Sequence, residues 1–133
     1  AGIEDRFRLF GFRRDVPDLM QAIDVMCPPS HREPFGLVYV EAALAERPSI
    51  ACDAGGAPEI IEHGESGLLI PPGQNVPALA DALLTLLDNP RQAAAMGRRA
   101  RELALERFTW EKYLAKLRGV YDTESVTPIE KAA

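Results

Sequence analysis

At 133 residues the chain is one domain's worth, long enough to bury a core, and its 47% hydrophobic and 26% charged residues describe an ordinary globular protein. A formal net charge of -5 excludes the basic face that duplex nucleic-acid binders carry. No apolar run approaches the ~18 residues of a spanning helix, and AGIEDRFRLF lacks the regions of a signal peptide, so a cytoplasmic protein is expected, with membrane association left open.

In chain order, RFRLFGF alternates polar and apolar residues and stops at Gly11, which predicts a short strand over residues 6–10. Asp15 then caps a helix with Val16, Leu19, Met20 and Ile23 inward and Pro17 in its first turn. DVMCPP reads as a buried strand over residues 24–27, ended by Pro28 and Pro29. A loop leads to a helix over residues 36–45, and PSIACD gives a third strand. Gly55-Gly56 is a turn before a short helix begun by Pro58, and a very short strand follows at residues 68–70. Strand, helix, strand, helix, strand implies parallel strands joined by right-handed crossovers, an α/β class.

The C-terminal half is helical. Val76, Leu79, Ala80, Leu83, Leu84 and Leu87 form one face of a helix that Asn75 caps. Pro90 opens another, with Met96, Ala100, Leu103, Ala104 and Phe108 inward. Thr109 caps a third, whose Trp110, Tyr113, Leu114, Leu117 and Tyr121 stripe is read as core. Residues 1–122 form one domain and residues 123–133 a frayed tail. Cys27 and Cys52 sit in apolar runs and are expected buried and reduced. With His31 and His63 the only histidines and no ligand spacing, no metal site is expected.

The chemistry gathers in HREPFGLVYVE, which starts where a strand's carboxyl end leaves off, the ligand side of a parallel sheet. Gly36 lets backbone approach a ligand, and the free N–H groups of residues 35–38 favour an anion, best a phosphate. If helical throughout, Glu33 and Glu41 stand ~12 Å apart along the axis and ~80° apart around it. A hydrolytic pair needs roughly 5 to 9.5 Å. The spacing suits two contacts on an elongated ligand, and both glutamates are expected to face one open cleft. Glu59 reads equally as a helix-start charge or a site residue, and His31 as a loop polar group before a catalytic base.

The E-x7-E pair from Glu33 to Glu41, followed in register by GGAPE and GESGLLIPPG and ending at ERFTWEKY, resembles a known family. It is similar to the C-terminal, donor-binding half of retaining GT-B glycosyltransferases, the glycosyl transferases group 1 or glycosyltransferase family 4, over roughly residues 3 to 122. Pro34 stands where Gly or Ser is usual. The resemblance implies an incomplete Rossmann-like parallel sheet with flanking helices. It implies that Glu41 holds the ribose of a UDP-, GDP- or ADP-linked sugar, and that the backbone of Phe35, Gly36 and Leu37 faces the diphosphate and sugar. Glu33 would bind donor-sugar hydroxyls and stabilise positive charge as the glycosidic bond breaks. The turn holding Gly11 and Arg13 would border the base. No metal and no cofactor are implied.

By the same resemblance the chain begins just before the third strand of a 3-2-1-4-5-6 sheet. Strands 1 and 2, the Arg and Lys they carry to the diphosphate, and the acceptor-binding N-terminal half all fall outside it. The expectation is a fragment whose first strand closes directly on residues 24–27, pairs with a second copy, or binds its missing half. A non-catalytic nucleotide-binding or assembly module derived from that domain is the alternative reading.

Overall fold

A 3-10 turn at Glu4–Arg6 precedes α1 (Val16–Ala22), α2 (Leu37–Leu44), β1 (Ser49–Cys52), α3 (Ala57–Ile60), β2 (Gly67–Ile70), α4 (Val76–Leu87), α5 (Pro90–Arg107) and α6 (Trp110–Thr123) in the computed structural model. It describes residues 2–28, 30–73 and 76–123, with side chains as far as Tyr121. Strands β1 and β2 run parallel with Ser49 opposite Gly67 and Cys52 opposite Ile70. Successive side chains on β1 point to opposite faces. Ala51 therefore joins Tyr39, Val40 and Ala43 of α2, Ile60 of α3 and Ala100 and Ala104 of α5. Ile50 joins Ile70, Ala82 and Leu86 of α4 and Met96 of α5. The α/β class, with helices covering both faces of a parallel sheet, is as expected.

Two expected strands differ. Residues 24–27 contribute one parallel bridge, Met26 to Ser49, in which Met26 N–H donates to Pro48 O at 3.0 Å and Ile50 N–H to Met26 O at 2.8 Å. Pro28 has no N–H with which to continue the ladder. Residues 6–10 form no ladder among the described residues: the chain leaves its 3-10 turn extended, with Phe7, Leu9, Phe10 and Phe12 exposed. A two-residue period makes a strand only where a neighbouring strand is available. The expected closure of this segment onto residues 24–27 does not form.

Asp15 precedes α1 as expected, but its carboxylate turns back to the Arg13 guanidinium, and its backbone oxygen accepts the N–H groups of Asp18 and Leu19. Asn75 and the tail beyond residue 123 lie outside the described residues. Cys27 and Cys52 are free, as expected, but half-buried rather than buried, because both stand near the open carboxyl ends of their segments. Burial pushes the Cys27 thiol up.

Helix α5 behaves as its period predicts, with Met96, Gly97, Ala100, Leu103 and Ala104 buried. Gly97 matters most. A Cβ there would stand 1.9 Å from the Glu46 carbonyl oxygen, so α5 lies directly on the backbone that ends α2. The Arg101 guanidinium adds a hydrogen bond to Leu44 O nearby. By contrast α6 contradicts the core reading of its stripe: Trp110 is 68% exposed and Tyr121 74%. Beyond its first turn the helix finds little cover among the described residues.

Glu62, between α3 and β2, ties this loop to α5. Its carboxylate accepts from Arg107 and, at 3.1 Å, from Arg99, which hold it below the usual 4.5. The sign follows from linkage: the unfolded carboxyl takes up its proton first as pH falls, so the stabilisation is present above about pH 4.5 and is lost through the lowered folded value. Glu62→Gln is expected to lower stability at pH 7 and to flatten the acid fall of the urea midpoint. Identical acid profiles for the two proteins would refute this role.

Candidate functional site

At the carboxyl end of β1 the chain makes two close turns that face one another. Glu33 forms a parallel bridge with Gly55, and Gly56 N–H donates to Glu33 O at 2.8 Å. Gly55 has φ +65°, and a Cβ on it would lie 2.1 Å from that same oxygen. A Cβ on Gly56 would lie 2.5 Å from Phe35 O. The Gly55-Gly56 pair, read from sequence only as a turn, is thus also the floor on which the Glu33 loop rests.

Gly36 opens α2 with φ 94° and ψ 56°, a left-handed conformation that glycine takes without strain. It offers no side chain to cap the helix. Tyr39 N–H bonds back to Gly36 O at 2.9 Å, and among the described residues the N–H groups of Leu37 and Val38 are left as the orphans of the first turn. An anion is the natural partner for such groups. Beside them the Glu33 Cγ lies 3.1 Å, and the Tyr39 ring edge 2.4 and 2.6 Å, from the point where a Gly36 Cβ would be. Glu33 is half-buried and Tyr39 is 1% exposed. Burial raises the Tyr39 phenol, and the Glu33 charge raises it further, so it stays neutral. Nothing in the sequence singled out Tyr39, because at its position a ring reads as one more apolar residue of a buried face.

The other expected residues separate from this centre. Glu41 is exposed and lines a cleft of about 220 Å³ with Val16, Pro17 and Met20 of α1 and Leu44 of α2. Glu33 is not among that cleft's lining residues. Gly11, with φ +63°, and Arg13 belong to the turn that feeds α1, and neither lines the cleft of Glu41. Arg13 is engaged by Asp15 and stands 6.0 Å from the Phe10 ring centroid. That pairing holds the Asp15 carboxyl below its usual range.

Phe35 and Leu37 line a different cleft, of about 370 Å³, with Glu59, Phe108, Trp110 and Tyr113. The Phe35 and Phe108 rings meet edge-on at 5.7 Å. Glu59 sits in the first turn of α3 and also lines this cleft, so both of its readings have a structural basis. His31 is exposed at a mostly apolar cleft of about 280 Å³ with Pro28, Ser30, Cys52 and Ile70. Among the described residues no three His, Cys, Asp or Glu side chains cluster as metal ligands would.

Comparison with known proteins follows the same lines. The N-acetyl-alpha-D-glucosaminyl L-malate synthase of Bacillus anthracis is 37% identical over 119 residues, 90% of this chain and 31% of that protein. The D-inositol 3-phosphate glycosyltransferase of Corynebacterium glutamicum (strain R) is 38% identical over 123 residues, 91% of this chain and 29% of that protein. A solved structure of Anabaena Alr3699/HepE in complex with UDP and glucose superimposes with a TM-score of 0.85 at 35% identity, over 92% of this chain and 34% of that one. The chain therefore spans about a third of the length of these relatives. The family model for glycosyl transferases group 1 matches residues 1–103, and the chain belongs to that family.

Proposed function

We propose that the chain is the donor-binding part of a glycosyltransferase, which moves a sugar from a nucleoside-diphosphate sugar to an acceptor with retention of configuration. Residues 1–122 form this partial nucleotide-sugar domain, and a separate N-terminal half supplies the acceptor site. The observation that carries the reading is the Gly36 junction. There an uncapped α2 N-terminus, backbone that no Cβ obstructs and the Glu33 side chain lie together at the carboxyl end of a parallel sheet.

In this reading the diphosphate meets the Leu37 and Val38 N–H groups, and the backbone of Phe35, Gly36 and Leu37 lies along the diphosphate and sugar. Glu41 takes the ribose hydroxyls on the α1 side, near the turn of Gly11 and Arg13 that borders the base. Glu33 takes donor-sugar hydroxyls and, as the glycosidic bond breaks, faces the positive charge that develops on the sugar. No side-chain nucleophile is required: the departing phosphate accepts the acceptor's proton. We place the protein in the cytoplasm, where two free cysteines remain reduced. Among the described residues no helix is long and apolar enough to cross a membrane.

A helix N-terminus contributes about 0.3 to 1 kcal/mol toward an anion, whereas a Kd of 0.1 to 1 mM needs roughly 4 to 5.5 kcal/mol. The difference must come from Glu41 and the base. Titrating the chain with UDP, GDP and ADP is expected to find one of them bound in about that range, and Glu41→Ala to weaken it about tenfold. No binding of any of the three at about 5 mM would overturn the proposal.

A further inference from the structure

Glu33 is held from two sides. Its carbonyl oxygen accepts the Gly56 N–H at 2.8 Å, and Gly55 passes so close that only a residue without a Cβ fits against that oxygen. Its Cγ and the Tyr39 ring edge lie 3.1 and 2.4 Å from the same point beside Gly36, so the two border one small space. Leucine or valine would fill the buried space at position 39. A ring does more, because its flat, rigid edge takes up the space beside Gly36 that the Glu33 stem also borders.

We infer that Gly55 and Tyr39 are positioning residues for Glu33, the first setting where its backbone stands and the second forming the wall its side chain rests on. Through Glu33 they govern how the domain distinguishes a nucleoside-diphosphate sugar from the bare nucleoside diphosphate. This rests on the reading of Glu33 as the group that meets the donor sugar. Tyr39 is 1% exposed and acts through its neighbour rather than by touching ligand. Its neutral phenol puts no second charge beside the carboxylate. Glu41 lines a cleft with α1, so the nucleoside end of the ligand does not depend on the same clamp.

The test compares dissociation constants for UDP-glucose and UDP, measured by NMR titration of the chain, and follows their ratio. Glu33→Ala is the reference. Tyr39→Leu and Gly55→Ala are each expected to shift the ratio at least about threefold in the direction Glu33→Ala shifts it, and Tyr39→Leu added to Glu33→Ala to shift it no further. Tyr39→Phe, which keeps the ring, is expected to rescue the ratio. Gly55 is exposed, so its variant carries the same test should Tyr39→Leu fail to fold. A ratio moved by Glu33→Ala but not by Gly55→Ala or Tyr39→Leu, or moved additively, overturns the inference and leaves the donor reading standing. Tyr39→Phe behaving like Tyr39→Leu overturns the role given to the ring. A ratio that Glu33→Ala does not move, or no binding of either ligand, overturns both the sugar contact and this inference.

Discussion

In a longer protein that carries this domain, Glu33→Ala is expected to lower kcat by about 10²- to 10³-fold while the donor KM changes little, the size of effect that follows loss of one aimed electrostatic partner at a reacting centre. Glu41→Ala is expected to do the reverse, raising the donor KM about tenfold with kcat nearly kept. The difference comes from timing. Ribose hydroxyls are bound alike in the ground and transition states, whereas positive charge on the sugar exists only as the bond breaks. Steady-state kinetics with the donor varied separates the two, and the opposite pattern would exchange the roles proposed for these glutamates.

Gly97→Ala should be the most damaging single methyl group added to the helical half. The new Cβ would stand 1.9 Å from the Glu46 oxygen and 2.6 Å from its carbonyl carbon, both backbone atoms that cannot rotate away. Overpacking costs typically 1–3 kcal/mol, against about 1 kcal/mol that alanine gains over glycine in a helix. A net loss of up to about 2 kcal/mol is expected, seen as a lower urea midpoint at unchanged slope. A stabilised variant would mean that α5 and the end of α2 separate freely.

Helix α5 was legible because it buries the face its period marks, with Leu103 1% exposed. Helix α4 is turned from the expected face: Val76, Leu84 and Leu87 are exposed and Ala82 and Leu86 are buried instead, since a helix this rich in apolar residues offers more than one face to the core. The α6 stripe has the same kind of period and is exposed, since a period records that a face suits burial and not where its cover comes from. Residues 6–10 illustrate the same point for a strand. In the site, the E-x7-E spacing put Glu33 before the mouth of α2 and Glu41 about a turn into it, but the expected single cleft is not seen: Glu33 precedes the helix and is placed by its loop, and it does not line the cleft that Glu41 lines. What local pattern could not contain was the approach of Gly55 and Gly56 to Glu33, or the Tyr39 ring beside it. The first is a contact between the loops of successive crossovers, fixed only when β1 has docked, whereas Tyr39 is close in sequence and was missed because a ring there reads as one more apolar residue.

That dependence gives the site a place in time as well as in space. The hydrogen bond from Gly56 to Glu33 joins two loops separated by a helix and a strand, so it cannot form until that intervening unit has folded and its loop-closure entropy has been met. A peptide spanning only residues 30–45 would possess both glutamates and Gly36 yet none of the floor beneath them. The motif is local in the chain, but the site it marks is a late product of folding, and ligand would select for molecules that have completed the sheet.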